Sequence, residues 1–171
     1  MKNDNRLFGI AACYIDGRVL DVGCGSCDFS SFIDGEYFGV DIEENNKENV
    51  YRCDVERDRL PFDDNFFDSV VALEVLEHLL DYRNIFEEIR QVLHHGGIFV
   101  TSVPNCYNLY KIKREFLGQK YETNEHVVAF HRYVLRQLLE KGGFTVELVD
   151  DVVGKVSGMY LLAVTRNQKI L

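Results

Sequence analysis

The stretch that decides the fold reads Arg18-Val19-Leu20-Asp21-Val22-Gly23-Cys24-Gly25-Ser26-Cys27. Its apolar run, 19–22, is typical of a strand that is buried on both faces of a sheet. Gly23 and Gly25 break the run, and glycine permits positive φ angles and a close approach of a ligand to the backbone. We expect residues 27–32 to begin a helix, with Ser26 as its N-cap. A strand, a glycine turn and a helix start together predict a cradle for a nucleotide-like ligand in an α/β fold.

The turn by itself does not specify the ligand. It reads Gly-x-Gly-x-Cys, whereas dinucleotide-binding proteins carry Gly-x-Gly-x-x-Gly, so a tight turn without any ligand is the alternative. Asp21 favours a ligand, because it lies at the carboxyl end of the predicted strand, where open α/β sheets bind their ligands. A carboxylate at that place attracts a cationic ligand and repels a pyrophosphate.

Length and composition bound the class of protein. The chain has 171 residues, which predicts a single domain over residues 1–171, and its net charge of −9 argues against binding of nucleic acid through the phosphates. No apolar run approaches the ~20 residues of a membrane span, and no signal peptide is visible. Five cysteines in irregular spacing suggest a reducing cytoplasm. Cys24-x-x-Cys27 has no second pair to complete a zinc site, so we expect these two residues to fill small positions in the turn.

Acidic residues close the predicted strands that follow. We predict strands over 37–41, 50–54 and 67–73, and the first two end in Asp41 and Asp54. Asp41 follows Gly23 at close to the ~20-residue spacing of a carboxylate that binds ribose hydroxyls. A solvated strand end is the alternative for Asp41. Because the carboxyl ends of parallel strands share one edge, Asp21, Asp41 and Asp54 should converge there.

The second half of the chain continues the alternation of helices and strands. Asp81 should cap a helix that Gly96-Gly97 stops, and a fifth strand follows at 98–103. A helix over 131–141 and a strand pair over 144–149 and 159–165 complete the pattern.

Five motifs occur in an order that resembles class I S-adenosylmethionine-dependent methyltransferases, most closely the small-molecule "type 11" branch with the ubiquinone-pathway enzymes. They are Gly17-Arg18-Val19-Leu20-Asp21-Val22-Gly23-Cys24-Gly25, Gly39-Val40-Asp41, Leu60-Pro61-Phe62 with Phe67-Asp68, Glu74-Val75-Leu76-Glu77-His78, and Leu93 to Gly97. Val103-Pro104-Asn105 and Gly142-Gly143-Phe144 also resemble methyltransferases of sugar and surface-polymer pathways.

The resemblance implies a Rossmann-like α/β fold: a seven-stranded, mostly parallel sheet with an antiparallel last strand and helices on both faces. It implies S-adenosyl-L-methionine as cofactor and S-adenosyl-L-homocysteine as product. Carried over by position, the cofactor-binding residues are Asp21, Gly23, Cys24, Gly25, Asp41, Ile42, Asp54, Val55 and Leu73. The chain departs from the family pattern where Cys27 replaces the usual third glycine, where His95 replaces a proline, and where residues 43–48 are too few for a crossover helix.

The expected catalytic residues are His78 and His126, because a histidine can accept a hydroxyl proton near neutral pH. A helical turn would place Glu74, Glu77 and His78 on one face. A similar Glu-x-x-Glu-His binds a metal in small-RNA 2′-O-methyltransferases and in some ubiquinone-pathway enzymes, with a later histidine in the RNA enzymes. We expect no metal site here; a divalent metal with His126 as fourth ligand is the less favoured alternative.

The sequence therefore predicts a cytoplasmic methyltransferase, a monomer or homodimer, that acts on a small molecule or a sugar. Oxygen is the expected acceptor atom, with nitrogen and carbon as alternatives. The aromatic segment 105–130, which includes Tyr107, Tyr110, Phe116 and Tyr121, should form a lid or wall over the acceptor. Two alternative hypotheses are a non-catalytic cofactor-binding module that serves as a partner of another protein, and a nucleotide-linked dehydrogenase.

Overall fold

A computed structural model describes residues 4–108, 113, 116–118, 126–153 and 159–168. The helices are α1 (Asp4–Ala12), α2 (Arg83–Val92) and α3 (Arg132–Lys141), with 3₁₀ turns at Asp28–Phe32 and Leu76–His78. The strands are β1 (Arg18–Val22), β2 (Glu36–Asp41), β3 (Val50–Arg52), β4 (Phe67–Leu73), β5 (Leu93–Pro104), β6 (Phe144–Val152) and β7 (Tyr160–Asn167).

Within these residues the strands form one sheet in the order β3-β2-β1-β4-β5-β7-β6. Strand β1 lies between β2 and β4 and pairs with both in parallel. Strand β7 runs antiparallel to its two neighbours, β5 and β6. The expected mostly parallel sheet with an antiparallel last strand is thereby confirmed.

Alternate residues of the central strands build the two cores on opposite faces of the sheet. Leu20 and Val70 belong to the core that α2 and α3 cover, whereas Val19 and Val71 belong to the core that α1 and the first 3₁₀ turn cover. Because both faces are covered, these strands are apolar at nearly every position, as the sequence indicated. In the described part of the chain, no helix has the length and apolar character needed to cross a membrane.

The turn after β1 differs from the prediction. Only a 3₁₀ turn forms, over Asp28–Phe32, and its N-cap is Cys27 rather than Ser26. Cys27 has a left-handed backbone (φ 60°), and no side chain caps the turn. The chain therefore turns too sharply after Gly25 for Ser26 to cap a regular α-helix.

Helix α2 and strand β5 also differ from their predicted bounds. Helix α2 begins at Arg83, so Tyr82 occupies the N-cap position that was predicted for Asp81. The Oδ1 atom of Asp81 nevertheless accepts a hydrogen bond from the backbone N–H of Arg83, as a capping side chain would. The helix ends at Val92, and Gly96-Gly97 lie inside β5, where the pairing with β4 shifts register. A helix that continued to Gly96 would contain His94 and His95, but both lie in the strand, and His94 faces Asp68 at 3.3 Å.

The connections of the sheet follow the sequence more closely. Residues 42–49 between β2 and β3 contain no helix, as their polar character and small number predicted. The predicted turn at 154–158 and the residues Tyr110 and Tyr121 lie outside the described residues. Asn105 forms a bridge with Phe130, so the intervening segment leaves and returns at the carboxyl end of β5.

The glycine turn gives a prediction that needs no ligand. Gly23 and Gly25 both have positive φ, but a Cβ at Gly23 would lie 2.6 Å from Cγ2 of Val75, whereas a Cβ at Gly25 would meet nothing within 4 Å. Gly25→Ala should cost only the left-handed strain of about 1–2 kcal/mol. Gly23→Ala should cost an additional ~1–3 kcal/mol, because Val75 must move. Urea unfolding of the two variants measures the difference, and equal destabilisation would contradict this account of the turn.

Candidate functional site

A cavity of about 320 Å³ opens at the carboxyl edge of the parallel strands. Five of the predicted cofactor-binding residues line it: Gly23, Asp41, Ile42, Asp54 and Val55. The wall also contains two acids, Glu56 and Glu74, and the predicted catalytic residue His78. The volume lies within the usual range for small-ligand pockets, roughly 300–1,000 Å³. The predicted convergence of strand-end acids is therefore found for Asp41 and Asp54.

Asp41 ends β2 and is held by the backbone on two sides. Its Oδ2 atom accepts the N–H of Gly25 at 2.8 Å, and its Oδ1 atom accepts the N–H of Glu43 at 3.0 Å. These bonds fix the carboxylate at the mouth of the glycine turn. Each oxygen has a second lone pair with which it can accept a bond from a ligand hydroxyl.

Asp21 lies behind the glycine turn and does not line the cavity. Its side chain is only 4% exposed, and its Oδ2 atom accepts a hydrogen bond from the hydroxyl of Tyr37 at 2.8 Å. Burial raises the pKa of Asp21 to about 7; the bond from Tyr37 lowers the pKa, and the charge of Asp41 raises it further. The sequence indicated the carboxylate but not its tyrosine partner.

The two cysteines of the turn are buried free thiols whose sulfur atoms lie 3.6 Å apart. The side-chain amide of Asn45 lies 3.4 Å from Sγ of Cys27 and 3.0 Å from the carbonyl oxygen of Gly25. Burial, the contact with Cys27 and the charge of Asp21 together raise the pKa of Cys24 above its usual range. Both residues thus support the turn from inside, and Cys24 does not line the cavity.

Glu74 follows β4 directly and has a strained backbone, with φ at 59°. Ser102 of the neighbouring strand β5 donates its hydroxyl to Oε1 of Glu74 at 2.9 Å, and the N–H of Glu74 bonds to the carbonyl of Ser102. Backbone strain at a non-glycine residue is often found at functional sites. Leu73, just before it, is half-buried against the core below α1 and does not line the cavity.

The side chains of His78 and His126, the two predicted catalytic residues, lie next to each other. Their ring centroids lie 4.9 Å apart in an edge-to-face arrangement. The N–H groups of Val127 and Val128 both bond to the carbonyl of Glu77, which holds the chain around His126 against the second 3₁₀ turn.

Among the described residues, Glu77, His78 and His126 form a group whose ligand-type atoms lie within 4.8 Å of one another. Glu74 is not part of this group. The predicted helical face shared by Glu74, Glu77 and His78 is wrong, because the 3₁₀ turn begins only at Leu76 and leaves Glu74 with Ser102. A carboxylate and two imidazoles are a donor set that suits a transition metal.

The chain matches the family model described as methyltransferase domain over residues 20–101. A curated relative, the demethylmenaquinone methyltransferase of Staphylococcus saprophyticus, is 28% identical over an alignment that covers 84% of this chain and 77% of the relative.

Two solved structures share the fold over nearly the whole chain. One belongs to the complex between the Trm112 methyltransferase activator of Haloferax volcanii and a methyltransferase, with a TM-score of 0.73, 18% identity and coverage of 98% of this chain and 92% of that chain. The other, a SAM-dependent methyltransferase from Thermotoga maritima, has a TM-score of 0.69 at 17% identity and covers 98% of this chain and 96% of that chain. The glycine turn, the sheet order and these matches agree, and together they support a class I S-adenosylmethionine-dependent methyltransferase.

Proposed function

We propose that the cavity beside the glycine turn binds S-adenosylmethionine and that the methyl group passes to a hydroxyl oxygen of a small molecule. The observation that carries the proposal is the combination of Gly23, Asp41, Asp54 and His78 around one cavity at the carboxyl edge of the sheet. Open α/β sheets bind ligands at this edge, and the acids there suit a ligand that bears positive charge and ribose hydroxyls.

The roles of the individual residues follow the family pattern and the geometry. Asp41 would accept the ribose hydroxyls, and Asp54 with Val55 and Ile42 would contact the adenine. The turn of Gly23, Cys24 and Gly25 would hold the methionine end, with Asp21 behind it and Leu73 at the end of β4.

Electrostatics supports a cationic ligand. Asp41, Asp54, Glu56 and Glu74 all line the same cavity, and among the described residues of its wall there is neither a lysine nor an arginine. When bound, the cofactor supplies an activated methyl group on a sulfonium, so the protein has to bind, align and exclude water. An acidic wall lowers the free energy of the charged cofactor more than that of its neutral thioether product, which favours exchange of product for fresh cofactor.

The acceptor would approach from the side of His78 and His126. His78 lines the cofactor cavity, and His126 contacts His78. An imidazole at this place can take the proton of an acceptor hydroxyl as the oxygen attacks. The segment between Asn105 and Phe130 begins and ends at the same edge, which supports its role as a wall of the acceptor pocket, although the described Tyr107 and Phe116 are 62% and 93% exposed.

A quinol is the first acceptor class to test. The curated relative is named a demethylmenaquinone methyltransferase, and a quinol carries a hydroxyl group that the two histidines could deprotonate. The resulting anion is nucleophilic at its oxygen and at the adjacent ring carbon, so analysis of the product must separate the proposed transfer to oxygen from transfer to carbon. Catechols and sugars are the next classes.

Asp41→Ala should weaken binding of S-adenosylmethionine, because two ribose hydroxyls lose a charged acceptor and Gly25 loses its bond to the carboxylate. We expect a loss of at least about 1.5–3 kcal/mol, because this is the range for a single hydrogen bond to a charged group and two hydroxyls lose their acceptor. Isothermal titration calorimetry measures the change, with Glu43→Ala as a matched control in an exposed acid two residues further on. Unchanged affinity in Asp41→Ala would refute the assignment of this carboxylate.

His78→Ala and His126→Ala should each lower turnover roughly 10²-fold or more, because a general base contributes about 10²–10⁴-fold to the rate. The affinity for S-adenosylmethionine should stay within a few-fold of the wild type. His94→Ala is the control, since His94 pairs with Asp68 at the opposite edge of the sheet.

If a metal takes part instead, a chelator should abolish activity, a divalent ion should restore it, and Glu77→Ala should behave like the histidine variants. Full turnover in both histidine variants would leave alignment as the main source of catalysis.

Two measurements test the function as a whole. The first is calorimetry with S-adenosylmethionine, S-adenosylhomocysteine and NAD, and the second is a turnover assay over the acceptor classes. Binding of the first two ligands with turnover of a hydroxyl compound is the expected result. Binding of NAD alone would overturn the proposal. Binding without turnover of any acceptor would favour the non-catalytic module.

A further inference from the structure

We propose that Tyr37 is a positioning residue whose hydroxyl donates to the Asp21 side chain beneath the glycine turn and favours its ionised form, which helps the site to bind a cationic ligand at neutral pH. This inference rests on the proposed binding of S-adenosylmethionine. It assigns a role to a residue outside both the cavity and the sequence motifs.

The register of β1 and β2 brings the two side chains together. Gly39 of β2 pairs with Asp21 of β1, and Tyr37 pairs with Val19. Tyr37 therefore lies two residues before Gly39, the direct neighbour of Asp21. Residues two apart on a strand point to the same face. Tyr37 therefore reaches along its own strand to Oδ2 of Asp21, at 2.8 Å.

Gly39 provides the space for this contact. A Cβ at position 39 would lie 3.4 Å from the hydroxyl oxygen of Tyr37 and 2.8 Å from Sγ of Cys24. A larger residue there would displace both the tyrosine hydroxyl and the turn. Glycine at this position in the strand is consistent with close packing of another part of the chain against the backbone.

The groups that face Asp21 are few. Strand β2 contributes Tyr37 and the charge of Asp41, the turn contributes Cys24, and the pairing partner on β4 is the apolar Val71. Burial raises the pKa of Asp21 to about 7, and the bond from Tyr37 works against this rise. The pKa of Tyr37 itself is raised, by burial first and by Asp21 next, so its hydroxyl remains protonated and able to donate.

The direction of the pH dependence follows from these causes. Asp21 is ionised above its pKa, and the ionised form attracts a sulfonium bound at the turn, where Gly23 lines the cavity. In the wild type the affinity for S-adenosylmethionine should fall as the pH drops through about 7. Removal of the tyrosine hydroxyl raises the pKa of Asp21 further, so the affinity should fall at a higher pH.

Tyr37→Phe tests the proposal by calorimetry from about pH 6 to about pH 9, a range that spans both protonation states of Asp21. At neutral pH the variant should bind S-adenosylmethionine about tenfold more weakly than the wild type, equivalent to about 1.4 kcal/mol. The difference should shrink as the pH rises. Comparison at equal pH removes the titration of the ligand's own amine from the ratio.

Three ligands separate a charge effect from a structural one. The loss should be largest for S-adenosylmethionine, smaller for S-adenosylhomocysteine, which lacks the sulfonium, and absent for neutral 5′-methylthioadenosine. Tyr133→Phe, in an exposed tyrosine of α3, is the matched control and should change none of these affinities. Equal losses for all three ligands, or a loss that does not depend on pH, would overturn the proposal.

Asp21→Asn gives an independent measurement if Tyr37→Phe does not fold. Asparagine keeps an acceptor for the Tyr37 hydroxyl but removes the charge. The affinity of Asp21→Asn for S-adenosylmethionine should therefore be low and nearly independent of pH. Adding Tyr37→Phe to this variant should change the affinity little. A pH dependence in Asp21→Asn like that of the wild type would refute the role of Asp21. Failure of the wild type to bind S-adenosylmethionine at any pH would instead refute the proposed function.

Discussion

The pairing of β1 with β2 on one side and β4 on the other is the constraint on which the site depends. Because all three strands run in parallel, the residues that follow them meet at one edge, and β1 delivers the glycine turn to its centre. The apolar residues of β1 bury both faces of this strand, so the turn is attached to one of the most fixed parts of the sheet.

The arrangement places negative charge where the chain has little water to solvate it. Asp21 is buried, Asp41 is held by two backbone N–H groups, and the charge of Asp41 adds to the cost of ionising Asp21. A ligand with positive charge relieves this cost on binding. Under the proposed function, the ionised Asp21 would therefore be more favourable with the cationic cofactor bound than without it.

Most of the sheet could be predicted from the sequence, because buried parallel strands are short apolar runs and their ends carry recognisable acids. Strand β4 was predicted at its observed bounds, and Asp41 was predicted at the end of β2. The turn was less predictable, since nothing in the residue type indicates that Cys27 adopts a left-handed backbone. The separation of Glu74 from Glu77 depends on where a 3₁₀ turn begins, and the partnership of Tyr37 with Asp21 depends on strand register. The contact of His78 with His126 arises from backbone bonds between distant segments, although both residues had been selected for their chemistry.

The missing helix between β2 and β3 bears on the speed of the reaction cycle. With residues 42–49 free of helix and Ile42 61% exposed, one side of the cavity is bounded by a short polar connection instead of a packed wall. A ligand that leaves past this side breaks few apolar contacts and requires no large element to open. Dissociation past this side should accordingly be fast, because none of the described helices has to move first. Under the proposed function, release of the thioether product would then not be the slow step of the cycle.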